Sequence, residues 1–170
     1  MTQLALDAEA LYQQLCHQVG ALVQASGPAS VGLVGIWSGG AWLAERLHKD
    51  LALPGAAGSL SITLHRDDYA ERGLGSTAGA TRLPFDVEGR HIILVDDVLF
   101  TGRTIRAALN ELFDFGRPAR VSLAVLVDRG GRELPVEAQC AAVRLTLPAA
   151  QRLSLAQDAQ GRLTFAVEGV

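Results

Sequence analysis

The residues most able to do chemistry are two adjacent acids, Asp96 and Asp97, followed by a short polar loop, Thr101–Thr104. An apolar run, His91–Val95, precedes the acids and predicts a strand that ends directly before them. In the loop, Gly102 permits a close approach of the backbone and the threonines offer hydroxyl groups. Backbone N–H groups at the start of the helix predicted next favour an anion. The loop therefore predicts a phosphate site.

The two carboxylates must face a ligand of different chemistry from the phosphate, because like charges repel. Sugar hydroxyls, which donate hydrogen bonds, and Mg²⁺ both meet this requirement. A phosphate loop beside an acidic pair is typical of a ribose 5-phosphate site. A turn or a helix N-cap is the structural alternative for the acids. The sequence lacks GxxxxGK[ST] and GxGxxG, which argues against a P-loop nucleotidase and a dinucleotide-binding fold.

Strands alternate with helices along the chain. Continuous apolar runs predict buried strands at Val31–Ile36, His91–Val95 and Arg120–Val127, and an alternating run predicts another at Ser59–His65. Apolar residues at helical spacing predict helices from Asp7 to about Gln24, after Gly39-Gly40, and at Thr104–Phe115. The predicted fold class is α/β, with an open, mostly parallel sheet and helices on both faces.

Ligands of such sheets bind at the carboxyl ends of the strands. Two further segments follow predicted strands: Trp37-Ser38-Gly39-Gly40 after the first, and Val127-Asp128-Arg129 at the end of the last. Arg66, with Asp67 and Asp68, follows the strand at Ser59–His65. A plain turn is the alternative for the glycine loop, and a surface ion-pair cluster is the alternative for Arg66.

The segment Tyr69–Arg90 has no sustained hydrophobic period and contains several glycines. It is longer than most connections in a compact domain, so it is interpreted as a lid that carries Arg72 and Arg82, with an idle loop as the alternative. We expect it to be poorly ordered without ligand.

Composition limits the class of protein. The chain of 170 residues has 15 Lys+Arg and 18 Asp+Glu, a net charge of −3 that lacks the basic bias of proteins that coat nucleic acid. No apolar run is long enough to cross a membrane, and the N-terminus does not resemble a secretion signal, so a cytoplasmic protein is expected. Cys16 and Cys140 are expected to be reduced. Trp37, Trp42, Phe113 and Phe115 are interpreted as packing residues.

The stretch Ile92–Thr104 resembles the PRPP (5-phosphoribosyl-1-pyrophosphate) signature of type I phosphoribosyltransferases. Ile62–Asp68, Leu123–Gly130 and Arg132–Pro135 narrow the resemblance to the PyrR family of pyrimidine operon regulators and uracil phosphoribosyltransferases. The resemblance implies one domain over residues 1–170, with a lid at about 69–90 and a hood at about 130–170. It also implies transfer from PRPP to uracil with Mg²⁺, giving UMP and pyrophosphate, a homodimer or higher oligomer, and binding of pyrimidine leader RNA in some members.

By the same resemblance, Asp96 and Asp97 hold the ribose hydroxyls and, indirectly, Mg²⁺. Arg66, Arg72 and Arg82 neutralise pyrophosphate. The other implied ligand contacts are Val98, Thr101, Gly102, Arg103 and Thr104 for PRPP, Trp37, Ser38, Gly39 and Gly40 for pyrophosphate, and Val127, Asp128 and Arg129 for the base.

The sequence departs from the family at three places. Gly39 stands where many relatives have Arg, Gly131 where they usually have His, and Ala141–Pro148 does not reproduce their usual motif. Two alternatives therefore stay open: an enzyme acting on a purine or another base, and a nucleotide-sensing regulator that binds RNA with little or no catalysis. Against RNA binding, the first predicted helix contains no Lys or Arg.

Overall fold

A computed structural model describes residues 5–62 and 80–169. Helices are α1 (Ala8–Ser26), α2 (Gly39–Asp50) and α3 (Arg103–Phe113), with a short 3₁₀ turn at Pro28–Ser30. Strands are β1 (Val31–Ile36), β2 (Gly58–Leu60), β3 (His91–Leu99), β4 (Arg120–Asp128), β5 (Cys140–Arg144), β6 (Gln151–Gln157) and β7 (Leu163–Gly169). None of the helices in these two ranges is both long and apolar enough to cross a membrane.

Five of the strands form a parallel sheet in the order β2-β1-β3-β4-β5. The central strands β1, β3 and β4 are nearly all buried, because helices cover both faces of the sheet. The predicted α/β class with a mostly parallel sheet is confirmed.

Alternate residues of each strand point to opposite faces, and each face has its own core. Leu33, Ile93 and Val95 face the core built with α1 and α2. Val34, Ile92 and Leu94 face the core built with α3. The helices pack on both faces of the sheet and hold it in place. The sheet in turn sets the positions of the loops at its carboxyl edge.

Several predicted boundaries are corrected by the structure. Asp7 caps α1 as expected, since its Oδ1 accepts from the N–H groups of Glu9 and Ala10, both at 3.1 Å. Strand β3 does not end at Val95 but runs on to Leu99, so the acidic pair lies within the strand. Helix α3 begins one residue earlier and ends two residues earlier than predicted.

The C-terminal region contributes to both sheets. Strand β5, within the segment assigned to a hood, extends the main sheet beside β4. Strands β6 and β7 form a separate antiparallel hairpin, and their residues Leu153, Leu155 and Leu163 pack into the core of α1 and α2. The hairpin is thus attached to the same face of the sheet as those helices.

Three of the four aromatic residues interpreted as packing residues are in fact largely exposed. Trp37, Phe113 and Phe115 expose 40%, 53% and 50% of their surface. Trp42 does pack against the core. The prediction was wrong for Phe113 and Phe115 because each lies at or beyond the end of α3, where the sheet no longer covers it.

The described part of the segment interpreted as a lid is attached to the body of the protein. Ser59 and Arg82 exchange two backbone hydrogen bonds of 2.8 Å at the outer edge of β2. Thr81 Oγ1 bonds Glu111 Oε1 at 2.7 Å, and Val87 is buried in the core. This packing disagrees with the expectation that all of 69–90 is poorly ordered without ligand. Residues 69–79 lie outside the described part of the chain.

Candidate active site

The acidic pair projects beyond the neighbouring strand. The pairing of β1 with β3 ends at the residue pair Gly35 and Val95, whereas the pairing of β3 with β4 continues to Leu99. Asp96 and Asp97 therefore stand at the carboxyl edge of the sheet. Each carboxylate is fixed by the next backbone N–H group: Asp97 N donates to Asp96 Oδ1 at 2.9 Å, and Val98 N donates to Asp97 Oδ1 at 2.8 Å.

The turn after β1 lies directly against this edge, and its glycines make that contact possible. A β-carbon on Gly40 would lie 2.2 Å from the carbonyl oxygen of Val95, and one on Gly39 would lie 2.7 Å from Asp97 Oδ2. A side chain at either position would push the turn away from β3. The structure thus brings the Trp37–Gly40 loop next to the acidic pair. The Trp37–Ser38 peptide is cis.

The loop after β3 presents the start of α3 at the same edge. Gly102 has a φ of +93°, which a residue with a side chain adopts only with strain. Thr101 Oγ1 accepts from Arg103 N at 3.2 Å, and the N-cap residue Gly102 has no side chain that could accept from the following N–H groups. The first turn of the helix consequently directs backbone N–H groups outward, an arrangement suited to an anion.

Asp128 is the buried acid at the end of β4. Its Oδ2 accepts from Arg132 Nη2 at 2.6 Å, and its Oδ1 accepts from Gly130 N at 3.1 Å. Burial raises the pKa of Asp128, but the hydrogen bond from Arg132 and the bond from Gly130 outweigh that effect and hold the pKa below its usual value. Asp128 is therefore charged at neutral pH. It lines an open cavity of about 400 Å³ together with Gly130, Gly131, Arg132, Arg144, Leu145 and Thr146.

The side chain of Arg129 is turned inward and holds the C-terminal hairpin. It is only 4% exposed and donates to the carbonyl oxygens of Gln151 at 2.7 Å and Pro148 at 3.0 Å. Its guanidinium lies 4.0 Å from the ring centre of Phe100, and burial lowers its pKa. Two of its guanidinium nitrogens are thus occupied by the backbone carbonyls of residues 148 and 151.

Most of the predicted site residues share one edge of the sheet. They lie at the carboxyl ends of β1, β3 and β4 or in the loops directly after them: Asp96–Val98, Thr101–Thr104, Trp37–Gly40 and Val127–Arg129. Arg82 is exposed and belongs to the segment paired with the outer strand β2. Arg66 and Arg72 lie outside the described residues.

Sequence patterns assigned no role to Phe100 or Arg132, yet the contact between them joins the loop after β3 to the end of β4. Arg132 donates to Phe100 O at 2.7 Å and to Val136 O at 2.9 Å as well as to Asp128. A β-carbon on Gly131 would lie 2.3 Å from the ring of Phe100. The only sequence signal was the spacing of Arg132 four residues after Asp128, because its other partners are backbone carbonyls.

The model of the phosphoribosyl transferase domain family matches residues 10–150. The chain belongs to this family. It is 52% identical to the bifunctional protein PyrR of Ralstonia nicotianae, over 99% of this chain and 98% of the relative. It is 43% identical to PyrR of Nitrosococcus oceani, over 89% of this chain and 87% of the relative. Within the phosphoribosyltransferases, the chain therefore belongs with the PyrR proteins.

Solved phosphoribosyltransferases share its fold. A hypoxanthine-guanine phosphoribosyltransferase from Bacillus anthracis superposes with a TM-score of 0.62 at 15% identity, covering 84% of this chain and 80% of that one. A hypoxanthine phosphoribosyltransferase from Staphylococcus aureus gives 0.61 at 19% identity, covering 86% and 78%. At such low identity the likeness establishes the fold alone.

Proposed function

We propose that the protein transfers the phosphoribosyl group of PRPP to uracil, releasing UMP and pyrophosphate. The observation that carries the proposal is the convergence of the acidic pair, the open start of α3 and the turn after β1 at one edge of the sheet. This edge offers a diol-binding acid beside a phosphate-binding loop. Uracil is taken as the base because the relatives are PyrR proteins.

Each loop takes one part of PRPP in this proposal. Asp96 and Asp97 accept hydrogen bonds from the ribose hydroxyls, and residues 101–104 bind the 5-phosphate through N–H and hydroxyl groups. The turn Trp37–Gly40 binds pyrophosphate through its backbone, since Gly39 has no cationic side chain. Arg66, Arg72 and Arg82 neutralise the charge that grows on pyrophosphate as it leaves.

Mg²⁺ belongs to the proposal as a partner of PRPP. No group of three or more His, Cys, Asp or Glu in residues 5–62 and 80–169 is arranged to hold a metal. Two adjacent carboxylates fit an ion whose remaining ligands are water and substrate oxygens, as is usual for Mg²⁺ with phosphate esters. Asp96 and Asp97 would hold it indirectly, through water, and it would offset negative charge on pyrophosphate.

The chain itself contributes positioning and charge in this reaction. The bond from C1 of the ribose to pyrophosphate breaks, a bond from C1 to a base nitrogen forms, and the proton of that nitrogen passes to the departing pyrophosphate or to water. The strand end Val127–Arg129 orients the base beside C1. No side-chain nucleophile is required.

The test is an assay of the purified protein with PRPP, Mg²⁺ and a panel of bases. We expect pyrophosphate release with uracil to exceed release with hypoxanthine, guanine or cytosine. Turnover of a purine in preference to uracil would replace the proposed substrate. Absence of turnover with every base, while PRPP still binds, would favour a regulator without catalysis.

RNA binding is a second candidate activity, favoured by the word bifunctional in the names of the relatives. Helix α1 contains no Lys or Arg, so any RNA surface would have to use other elements. A gel-shift assay with pyrimidine leader RNA, with and without UMP, tests it. An RNA of the same length and scrambled sequence is the control.

A cytoplasmic location and self-association are part of the same proposal. A chain of 18.0 kDa with half-exposed Phe113 and Phe115 has apolar surface available for a second copy. Sedimentation at micromolar concentration is expected to give a dimer or higher form. A single 18.0 kDa species would contradict it.

A further inference from the structure

The loop after β4 lies on the loop after β3, and the two are joined by main-chain hydrogen bonds. The base-side loop comprises residues 129–136, and the phosphate loop comprises residues 101–104 with the preceding Phe100. The N–H groups of Glu133 and Leu134 both donate to Thr101 O, at 2.9 and 3.0 Å, and Arg129 N donates to Leu99 O at 3.0 Å. A β-carbon on Gly102 would contact Val136 at 3.1 Å. The loops therefore form one packed unit.

One side chain reaches every part of this unit. The guanidinium of Arg132 donates to Phe100 O in the phosphate loop at 2.7 Å and to Val136 O in the base-side loop at 2.9 Å. It also donates to Asp128 Oδ2 at the end of β4 at 2.6 Å, with a longer contact of 3.4 Å to Gly130 O. Its planar fork of donors matches several acceptors at once, which a lysine ammonium cannot do from one fixed position.

Arg132 is well placed to transmit a shift of one loop to the other. Its side chain is only 25% exposed, and that of its partner Asp128 is 11% exposed, so water competes weakly for these bonds. A ligand that fixes the phosphate loop also fixes Phe100 O, and through Arg132 it fixes Asp128 beside the cavity at the end of β4. Most of the donors of Arg132 are already used within the protein, so its role runs through these partners.

We propose that Arg132 is a positioning residue that couples the 5-phosphate subsite to the base subsite, so that occupation of the first strengthens binding at the second. The inference rests on the proposed function for the identity of the base. Coupling of this kind is reciprocal: the base must strengthen binding of the phosphate by the same factor. It would let the protein bind the base productively only when the sugar phosphate is in place.

The first experiment does not depend on the base. Hydrogen exchange of the base-side loop is measured with and without ribose 5-phosphate in the wild type, in Arg132→Gln and in Arg132→Lys. In the wild type we expect the amides of Glu133, Leu134 and Gly130 to exchange more slowly when ribose 5-phosphate is bound. In both variants the amide of Gly130 should lose this protection, because the guanidinium that links residue 130 to the phosphate loop is missing.

The second experiment uses steady-state kinetics with PRPP and uracil. In Arg132→Gln we expect a KM for uracil raised about tenfold or more and kcat/KM lowered about 100-fold, the effect of a misplaced subsite, with the Kd of PRPP changed less than about threefold. In Arg132→Lys the charge beside Asp128 remains, so the melting temperature should stay near that of the wild type while the coupling is still lost.

The matched control is Glu133→Gln. Its side chain also joins the two loops, through Arg103 Nε at 2.9 Å, but both side chains are about half exposed, at 49% and 55%. We expect wild-type coupling in this variant, because exposed ion pairs contribute little.

The outcomes separate the inference from the proposed function. Absence of uracil turnover in the wild type would remove the proposed function and leave the exchange experiment as the test of coupling. Wild-type protection and wild-type KM in Arg132→Lys would overturn the inference, as would a loss of PRPP affinity, measured without uracil, that equals the loss of uracil affinity. If the coupling is lost only in variants whose melting temperature also falls, Arg132 has a purely structural role and the inference is overturned.

Discussion

At the residue scale, Asp97 lies between the turn after β1 and the start of the phosphate loop. We expect Asp97→Asn to lower kcat/KM by at least about 100-fold, because the change keeps the shape but removes the charge that ribose hydroxyls and Mg²⁺ require. The melting temperature should stay within about 3 °C of the wild type, since the backbone bond from Val98 can still be accepted by an amide oxygen. Pyrophosphate release and thermal unfolding are the measurements.

The control for Asp97 is Glu45→Gln, the same change of carboxylate to amide on the exposed face of α2. We expect wild-type kinetics there. Unchanged kcat/KM in Asp97→Asn would show that the acidic pair does not contact the reacting sugar.

Sequence patterns predicted the acidic pair and the phosphate loop because a strand, two acids and a glycine-threonine loop lie next to one another in the chain. They did not predict the contacts of Arg132, because its acceptors are mainly carbonyl groups and every residue has one. Nor did they predict that Arg129 holds the hairpin, since Pro148 and Gln151 are about twenty residues away in the sequence. Contacts to backbone atoms leave no mark in the residue types of the partner.

At the scale of elements, the turn after β1 depends on two glycines in contact with β3. In Gly40→Ala the new methyl group would meet the carbonyl oxygen of Val95, at 2.2 Å, and the turn would have to move. We expect the free energy of unfolding to fall by about 1–3 kcal/mol, and kcat/KM to fall with it because the turn moves relative to Asp97. Urea unfolding and the pyrophosphate assay measure the two effects.

Gly169→Ala is the matched control for Gly40→Ala, because a β-carbon there meets nothing within 4 Å. It should leave both quantities unchanged. A Gly40→Ala protein with wild-type stability and activity would mean that the turn has room to adjust.

The attachment of the β6–β7 hairpin is also a property of an element. In Arg129→Met the guanidinium that bonds Pro148 O and Gln151 O is replaced by an apolar chain, which leaves two carbonyl groups without their donor. We expect the free energy of unfolding to fall by about 1–3 kcal/mol, the cost of leaving buried carbonyl groups without a hydrogen-bond donor. Arg117→Met, at an exposed position, is the control. Equal stability of the two variants would exclude Arg129 as the group that holds the hairpin.

Most elements of the main sheet were predictable, because buried parallel strands are continuous apolar runs. The end of β3 was misplaced because Asp96 and Asp97 interrupt that run, although the backbone ladder with β4 continues through them. The last three strands were not predicted. Residues 140–144 and the hairpin are only partly buried, so their sequences carry a weak hydrophobic period.

At the scale of the whole molecule, the end of the sheet opposite the active site contains a buried histidine. His91 is 6% exposed at the start of β3, and its ring nitrogens lie 2.7 Å from Ser26 Oγ and 2.9 Å from Ser122 Oγ. The three residues connect α1, β3 and β4. Burial, aided by the positive charge of Arg120, lowers the pKa of His91 below its ordinary value of 6.5.

This lowered pKa makes the stability of the fold depend on pH. Between the ordinary pKa of 6.5 and the lower pKa in the folded protein, the unfolded chain takes up a proton at His91 and the folded chain does not. Stability from the neutral ring is therefore fully present above pH 6.5 and falls as the pH drops, by up to about 1.4 kcal/mol per pH unit. We expect urea unfolding to show a clear loss of stability between about pH 7.5 and pH 5.5.

In His91→Gln, whose amide can still bond both serines but does not titrate, the loss over this interval should be smaller by the contribution of His91. The other three histidines are retained in the variant and cancel in the comparison. Equal losses in the two proteins would contradict a neutral, buried His91.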